Sequence, residues 1–342
     1  MNVFKKVAWV VIALLLVLLT FKAYPIAKKF YKHYQFEKEL TGTILDQEVT
    51  VNDIQNFEKL PNGAIVSSIA FEFSEVPPIW EQLSENGSFK DAYKYLDAID
   101  FSLIVYKSDS LLVNAIQAEP KKEDVYPAII YNRGGNQMFG KNAKGRTLYN
   151  LLQVAKLAEK HVVLATCYRE QDEFGGNDLN DVLYLIKTAK TLPNVDENRI
   201  GMAGWSRGGM MTYLALKHSK EIKAAAVING PTDLERLIEE RPAMETEVCA
   251  KLIPDYQSQK EKALQERSVL YWPNELDTNA SLLIVCGSKD TSVNPEQAHL
   301  INDKLQDINY PVSFHEFDTD HSFTNKNEVI QTTLLNWFTE HL

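Results

Sequence analysis

The sequence predicts an α/β fold on a mostly parallel sheet with helices on both faces, and three observations predict it. From Phe101 onward, apolar runs of strand type alternate with segments of helical period. The runs are almost continuously hydrophobic, as strands covered on both faces are. The chain of 342 residues is 45% hydrophobic, which suits a folded protein with a sizeable core and excludes a disordered or fibrous one.

In order, FSLIVYK and LLVNAIQA flank the turn Ser108-Asp109-Ser110 and form a hairpin that adds antiparallel strands at the sheet's edge. YPAIIYN follows, then a helix near 147–160, VVLATCY, a helix near 179–191, RIGMAGWS, a helix near 208–218 and AAAVING. An irregular stretch, 234–274, leads to SLLIVCG, a helix near 295–305, VSFHEF and a closing helix near 328–341. Residues 101–342 therefore read as one domain, with 234–274 as an insertion placed to cap it. Residues 24–100, broken at PNG, VPP and ENG, read as a linker and accessory segment.

Lys plus Arg number 36 and Asp plus Glu 46, so the net charge is −10 and the chain lacks the positive field that gathers nucleic-acid phosphates. The charge is uneven. Seven Lys and two Glu give residues 1–40 a charge of +5, which leaves −15 for the rest. Between Lys6 and Lys22 runs VAWVVIALLLVLLTF, fifteen residues without a charge. At about 1.5 Å per residue it spans roughly 22 Å, enough for a membrane helix only if Lys22 snorkels. Ala23 and Ala27 lack the small residue two places earlier that a signal peptidase reads, so residues 1–23 are expected to stay as an anchor. Counting basic residues places the domain inside and a signal-anchor reading places it outside; the expectation leans extracytoplasmic. Of three cysteines, Cys167 and Cys286 lie in apolar runs, and no disulfide framework or cysteine zinc site is written.

Sheets of this kind carry reactive groups where strands end at the carboxyl edge. RIGMAG ends in Gly204-Trp205-Ser206-Arg207-Gly208, a G-x-S-x-G at a strand-to-helix turn that would hold Ser206 exposed and strained. SLLIVCG ends near Asp290, and VSFHEF leads into Asp318-Thr319-Asp320-His321. The order Ser206, Asp290, His321 is that of the α/β-hydrolase fold. Ser206 is a weak nucleophile until His321 takes its proton, and Asp290 would hold the imidazole; Asp318 and Asp320 are rivals for the acid but are expected to shape the loop. The amide of Arg207 is one oxyanion donor by position. The other is expected from Asn132-Arg133-Gly134-Gly135, with Gly135 ahead of Gly134. Residues 135–142 spell G-x-x-x-x-G-K, but Asn142 stands where a magnesium-holding hydroxyl belongs, so no nucleotide is expected. No cofactor, metal or redox motif is present in the sequence.

With these residues in place, the stretch 101–342 resembles the catalytic domain of the prolyl oligopeptidase family of serine peptidases. The likeness is carried by YPAIIYNRGG, CYREQDEFGGNDLNDVLYLI, RIGMAGWSRGGMMTYLAL, VINGPTDL, LIVCGSKDTSV and HEFDTDHSF. It implies a Ser206–Asp290–His321 triad that forms an acyl-enzyme, with YNRGG as the oxyanion segment. Arg207 stands where these peptidases often have Tyr, and Glu170 where they often have Gly. Residues 24–100 number 77, too few for the family's β-propeller, since four blades need roughly 160. The expected activity is hydrolysis of short peptides; a carboxylesterase with the same triad is the alternative, and a non-catalytic binding module the remote one.

Overall fold

The apolar runs become strands, and their pairing decides where chemistry can occur. The structure, a computed structural model, describes residues 38–135 and 143–342. The expected anchor, 1–23, and most of the G-x-x-x-x-G-K stretch lie outside these residues. Among the described residues, no helix is long and apolar enough to cross a membrane.

Residues 38–47 and 73–82 form a small unit of their own. It holds a 3-10 turn, Ile44–Asp46, capped by the Thr43 hydroxyl, and most of the helix Pro77–Leu83, which opens on a proline pair.

The larger unit is built on a nine-stranded sheet. Its strands are β1 (Ile65–Phe71), β4 (Ile99–Ser108), β5 (Leu111–Pro120), β6 (Tyr126–Asn132), β7 (Val162–Thr166), β8 (Val195–Trp205), β9 (Ile222–Ile228), β10 (Ser281–Gly287) and β11 (Val312–Phe317). A separate hairpin pairs β2 (Ser84–Glu85) with β3 (Ser88–Phe89). Across the sheet the order is β1-β4-β5-β7-β6-β8-β9-β10-β11. From β7 to β11 every neighbouring pair is parallel, and β1, β4 and β5 add antiparallel strands at one side. All five residues of β7 are buried, as a strand covered on both faces requires.

Two features differ from the sequence reading. The sheet reaches back into the expected linker, because β1 pairs with β4 and so covers its outer edge. The stretch 234–274 is also largely helical, with Leu234–Glu240 and Tyr256–Gln265 as its longer helices. Leu237, Val248, Cys249, Leu264 and Trp272 from this stretch join the main core, so it is an integral cover and not a surface decoration.

Because the six strands from β7 to β11 run the same way, their carboxyl ends line one edge of the sheet. The segments after β6, β7, β8, β9, β10 and β11 all begin there.

Candidate active site

The turn after β8 is shaped by close packing. Ser206 has φ 56° and ψ −124°, a conformation that costs about 1–3 kcal/mol in a residue with a side chain. Its amide donates to Ile228 O at 2.8 Å, and its carbonyl accepts from Gly209 N at 2.8 Å. The flanking glycines are steric necessities: a Cβ on Gly208 would lie 1.8 Å from Asn132 O, and one on Gly204 would lie 2.0 Å from Gly208 O. The helix Arg207–His218 starts directly afterwards, so Ser206 sits at the positive end of its dipole.

The two remaining predicted groups meet. His321 Nδ1 lies 2.6 Å from Asp290 Oδ2, with the Asp290 side chain 1% exposed and that of His321 22% exposed. The other oxygen, Asp290 Oδ1, accepts from Ser292 N at 2.7 Å and Val293 N at 3.0 Å, which fixes the carboxylate's orientation. His321 O in turn accepts from Trp205 Nε1 at 3.0 Å and Asn229 Nδ2 at 2.9 Å. These bonds tie the histidine loop to the residue beside Ser206. Phe323, buried edge-on against Trp205 at 5.4 Å, anchors the same loop.

The rival acids are occupied elsewhere. Asp318 is paired with Lys289 at 2.7 Å, which lowers its pKa. Asp320 accepts from Thr324 N and Oγ1 and from Ser322 N, closing the turn that carries His321; its pKa is lowered chiefly by the Thr324 amide.

The predicted oxyanion loop lies against the serine. A Cβ on Gly134 would fall 3.2 Å from Ser206 Cβ and 3.9 Å from its Oγ, so this loop passes directly beside the hydroxyl. Gly135 has φ 83°, which only glycine adopts without cost.

Several residues that support the site went unnamed in the sequence reading. Asn229, at φ 48°, donates to His321 O and accepts from Gly287 N at 2.9 Å, linking the ends of β9 and β10 to the histidine loop. Asp172 and Asp178 bind the Arg207 guanidinium at 2.5 and 2.6 Å in the protein interior. Burial opposes the charge on Arg207, yet the two carboxylates outweigh it and hold the group charged, above the ordinary guanidinium range. The sequence held a signal for this: a charged residue directly after a buried nucleophile turn needs acidic partners, and DEFGGND supplies two.

The helical cover also grips the acid loop. Arg241 Nη1 donates to Ser292 O at 2.7 Å, and Glu240 accepts from Asn294 Nδ2 at 2.9 Å, just downstream of Asp290. Within the cover lies a cavity of about 360 Å³ lined by Glu235, Glu239, Glu245, Lys260 and Glu261, with Ile238 and Leu264. Glu245 there is paired with Lys260 and accepts from Tyr256 at 3.1 Å. Among the described residues, Cys286, His299 and Glu316 form a cluster of metal-type ligands within 4.8 Å of one another, on β10, β11 and the helix Glu296–Asp307.

A serine on a glycine-flanked strand-to-helix turn, and a histidine bonded to a buried aspartate on a loop tied to that turn through Trp205, all at the carboxyl edge of a parallel sheet, define a serine hydrolase of the α/β-hydrolase fold. Comparison with known proteins makes this specific. Residues 168–342 match the prolyl oligopeptidase family, and the chain belongs to it. The uncharacterized peptidase YtmA of Bacillus subtilis is 28% identical over 243 residues, covering 68% of this chain and 91% of YtmA. The acylaminoacyl peptidase of Pyrococcus horikoshii superposes with a TM-score of 0.58 at 21% identity, over 73% of this chain and 43% of that one. An acetyl xylan esterase from Paenibacillus sp. R4 superposes at 0.55 and 15% identity, over 84% and 91%. These structural likenesses concern the fold, which peptidase and esterase share.

Proposed function

We propose that this protein cleaves short peptides by acyl transfer to Ser206 and then to water, with His321 as general base and Asp290 as the acid that orients it. The observation that carries the reading is the 2.6 Å contact between His321 Nδ1 and the buried Asp290, on a loop bonded to the neighbour of Ser206. Asp290 keeps the proton on Nδ1, so Nε2 is the nitrogen free to take the serine proton. Ser206 Oγ then attacks the substrate carbonyl, and the negative charge moves to its oxygen. His321 returns the proton to the leaving amine, and water repeats the sequence to release the acid. Membership of a peptidase family supports amide cleavage over ester cleavage.

Labelling with a fluorophosphonate tests the mechanism, because only an activated serine reacts. An unactivated short peptide set against an unactivated acyl ester of similar size tests the substrate class. Turnover of the peptide is expected; inert peptides alongside rapid ester hydrolysis would establish the carboxylesterase instead. The cavity in the cover, whose lining includes Glu235, Glu239 and Glu261, is where a free peptide amino terminus would bind and set a length limit. The apolar run between Lys6 and Lys22 supports placement at a membrane, and a signal-anchor reading of it, against the count of basic residues, puts the catalytic domain on the outer side. Fractionation of the full chain, and protease accessibility of its domain in sealed vesicles, test both parts.

A further inference from the structure

Two buried guanidiniums hold consecutive carbonyls of the loop beside Ser206. Arg133 Nη1 donates to Gly134 O at 3.0 Å, while its Nη2 donates to Cys167 O at 2.6 Å. Arg207 Nη1 donates to Gly135 O at 3.1 Å. Both guanidiniums lie on the ring of Tyr168, at 4.9 and 4.6 Å, and Tyr168 hydroxyl donates to Arg133 O at 3.3 Å. Two like charges this close, in a buried place, need compensation. Asp172 and Asp178 supply it, so two positive and two negative charges balance.

The carboxylates are themselves fixed by their own loop. Asp172 Oδ1 accepts from Phe174 N at 2.8 Å, and Asp178 Oδ1 accepts from Gly176 N at 2.9 Å. Arg207 is thus held as a rigid fork with its position set by carboxylates on one side and a loop carbonyl on the other.

The consequence follows from peptide geometry. In a trans peptide the carbonyl and the following amide point in opposite directions. Fixing Gly134 C=O on the Arg133 fork therefore fixes Gly135 N–H pointing the opposite way in the same plane, and the carbonyl of Gly135 is pinned separately by Arg207. Gly135, at φ 83°, is a joint that no side chain of its own restrains. We propose that Arg133 and Arg207 are positioning residues for the oxyanion hole, gripping the Gly134 and Gly135 carbonyls so that the Gly135 amide is held as one donor while Arg207 contributes the other from its own backbone. This rests on the acyl-transfer reading given above. It also accounts for Arg at position 207: one residue supplies a donor with its main chain and aims its partner with its side chain.

The test uses an activated acetate ester, 4-nitrophenyl acetate, and its thiono analogue, in which sulfur replaces the carbonyl oxygen. Sulfur is larger and accepts hydrogen bonds poorly, so the preference for the oxygen ester reports on the oxyanion donors. Arg133→Gln, Arg207→Met and the charge-keeping Arg207→Lys are compared with wild type, after near-UV circular dichroism confirms that each is folded. A misplaced donor is expected to lower kcat on the oxygen ester by about 10²-fold with KM changed little, and to narrow the oxygen-to-sulfur preference at least roughly tenfold. Arg207→Lys should recover part of both. If Arg207→Met does not fold, Arg133→Gln decides alone, since it leaves the Arg207 ion pairs in place. Wild-type activity with kcat unchanged in the folded variants overturns the positioning role and leaves the hydrolase reading intact. A lower kcat with an unchanged oxygen-to-sulfur preference overturns it too, because it shows general damage. A wild type inert to both esters and to fluorophosphonate overturns both readings.

Discussion

The two edges of the sheet treat unusual backbone differently. At the carboxyl edge, positive φ falls mostly on buried or partly buried residues with side chains, Tyr168 (58°), Phe174 (52°), Ser206 (56°), Asn229 (48°) and Phe323 (54°), with exposed Asn325 (62°) as the exception. Away from it, positive φ falls on exposed Asn and Asp, at Asn56, Asn86, Asp255 and Asn309, where a short polar side chain tolerates it. The histidines divide likewise. His321, at the carboxyl edge, keeps part of its ring exposed and faces a carboxylate, whereas His161, just before β7 at the amino edge, is buried with Nδ1 2.9 Å from Leu157 O and its ring edge-on to Phe338. Strain and polar burial at the carboxyl edge are sustained by packing elsewhere and serve to place groups; at the amino edge the same residue type only fills space.

The sharpest break of this comparison is at the triad. Ser206→Ala is expected to lower kcat by roughly 10⁴–10⁶-fold and to abolish fluorophosphonate labelling, with His321→Ala close behind. Because the groups act as a unit, the double variant should be scarcely slower than either single one. Steady-state kinetics of the three proteins check this; strictly multiplicative losses would refute the assignment. The fold should survive, since neither side chain belongs to the core.

How much of this was legible in the sequence depends on the range of the interaction. YPAIIYN, SLLIVCG and VSFHEF give β6, β10 and β11 with the bounds expected, because a continuous apolar run between turns is a local signal. The helix expected near 147–160 is broken into Ala143–Leu151 and a 3-10 turn, Ala155–Glu159, a boundary set by packing and not by composition. β1 escaped notice because two central serines interrupt the apolar run of IVSSIAF, as suits a largely half-exposed edge strand whose partners in β4 lie thirty or more residues away. At the site, Ser206, Asp290 and His321 were readable from motif and order. Asp172 and Asp178 left only the indirect signal of acids near a cation expected to be buried, and the roles of Arg133 and Asn229 left none, since each depends on groups that only the fold brings together, and such pairings leave no periodicity to read.

His161 sharpens the comparison through pH. Burial pushes its pKa down to about 4, against the attraction of the Leu157 and Phe338 carbonyls. The folded protein therefore resists protonation that the unfolded chain accepts, so stability is complete above about pH 6.5 and is lost as pH falls towards 4. By linkage the loss is roughly 2–3 kcal/mol at about pH 4.5. Urea unfolding of wild type and His161→Gln at pH 7 and 4.5 checks it, because carboxylates titrating in the same window cancel between the two proteins. The variant should lose less on acidification, and an identical loss would remove His161 from the account.

The smallest effect is expected from Asp318→Asn, and it is informative because Asp318 and Asp290 are both near His321 in the sequence or in space. Asp318 is 73% exposed and bound to Lys289 on the surface, where water and salt screen a charge pair. Asp290 is enclosed, with one oxygen on two amides and the other on the imidazole. Replacing Asp290 by Asn keeps the shape but offers His321 a donor where it needs an acceptor, favouring the tautomer with the proton on Nε2, and a loss of about 10⁴-fold in kcat is expected. The same exchange at Asp318 removes a screened surface charge and leaves the Asp290–His321 contact untouched, so kcat should stay within about twofold. Measuring both under one set of conditions separates position from proximity: equal losses would show that the loop as a whole needs its negative charge, whereas the expected contrast assigns the orienting role to the one carboxylate that meets Nδ1.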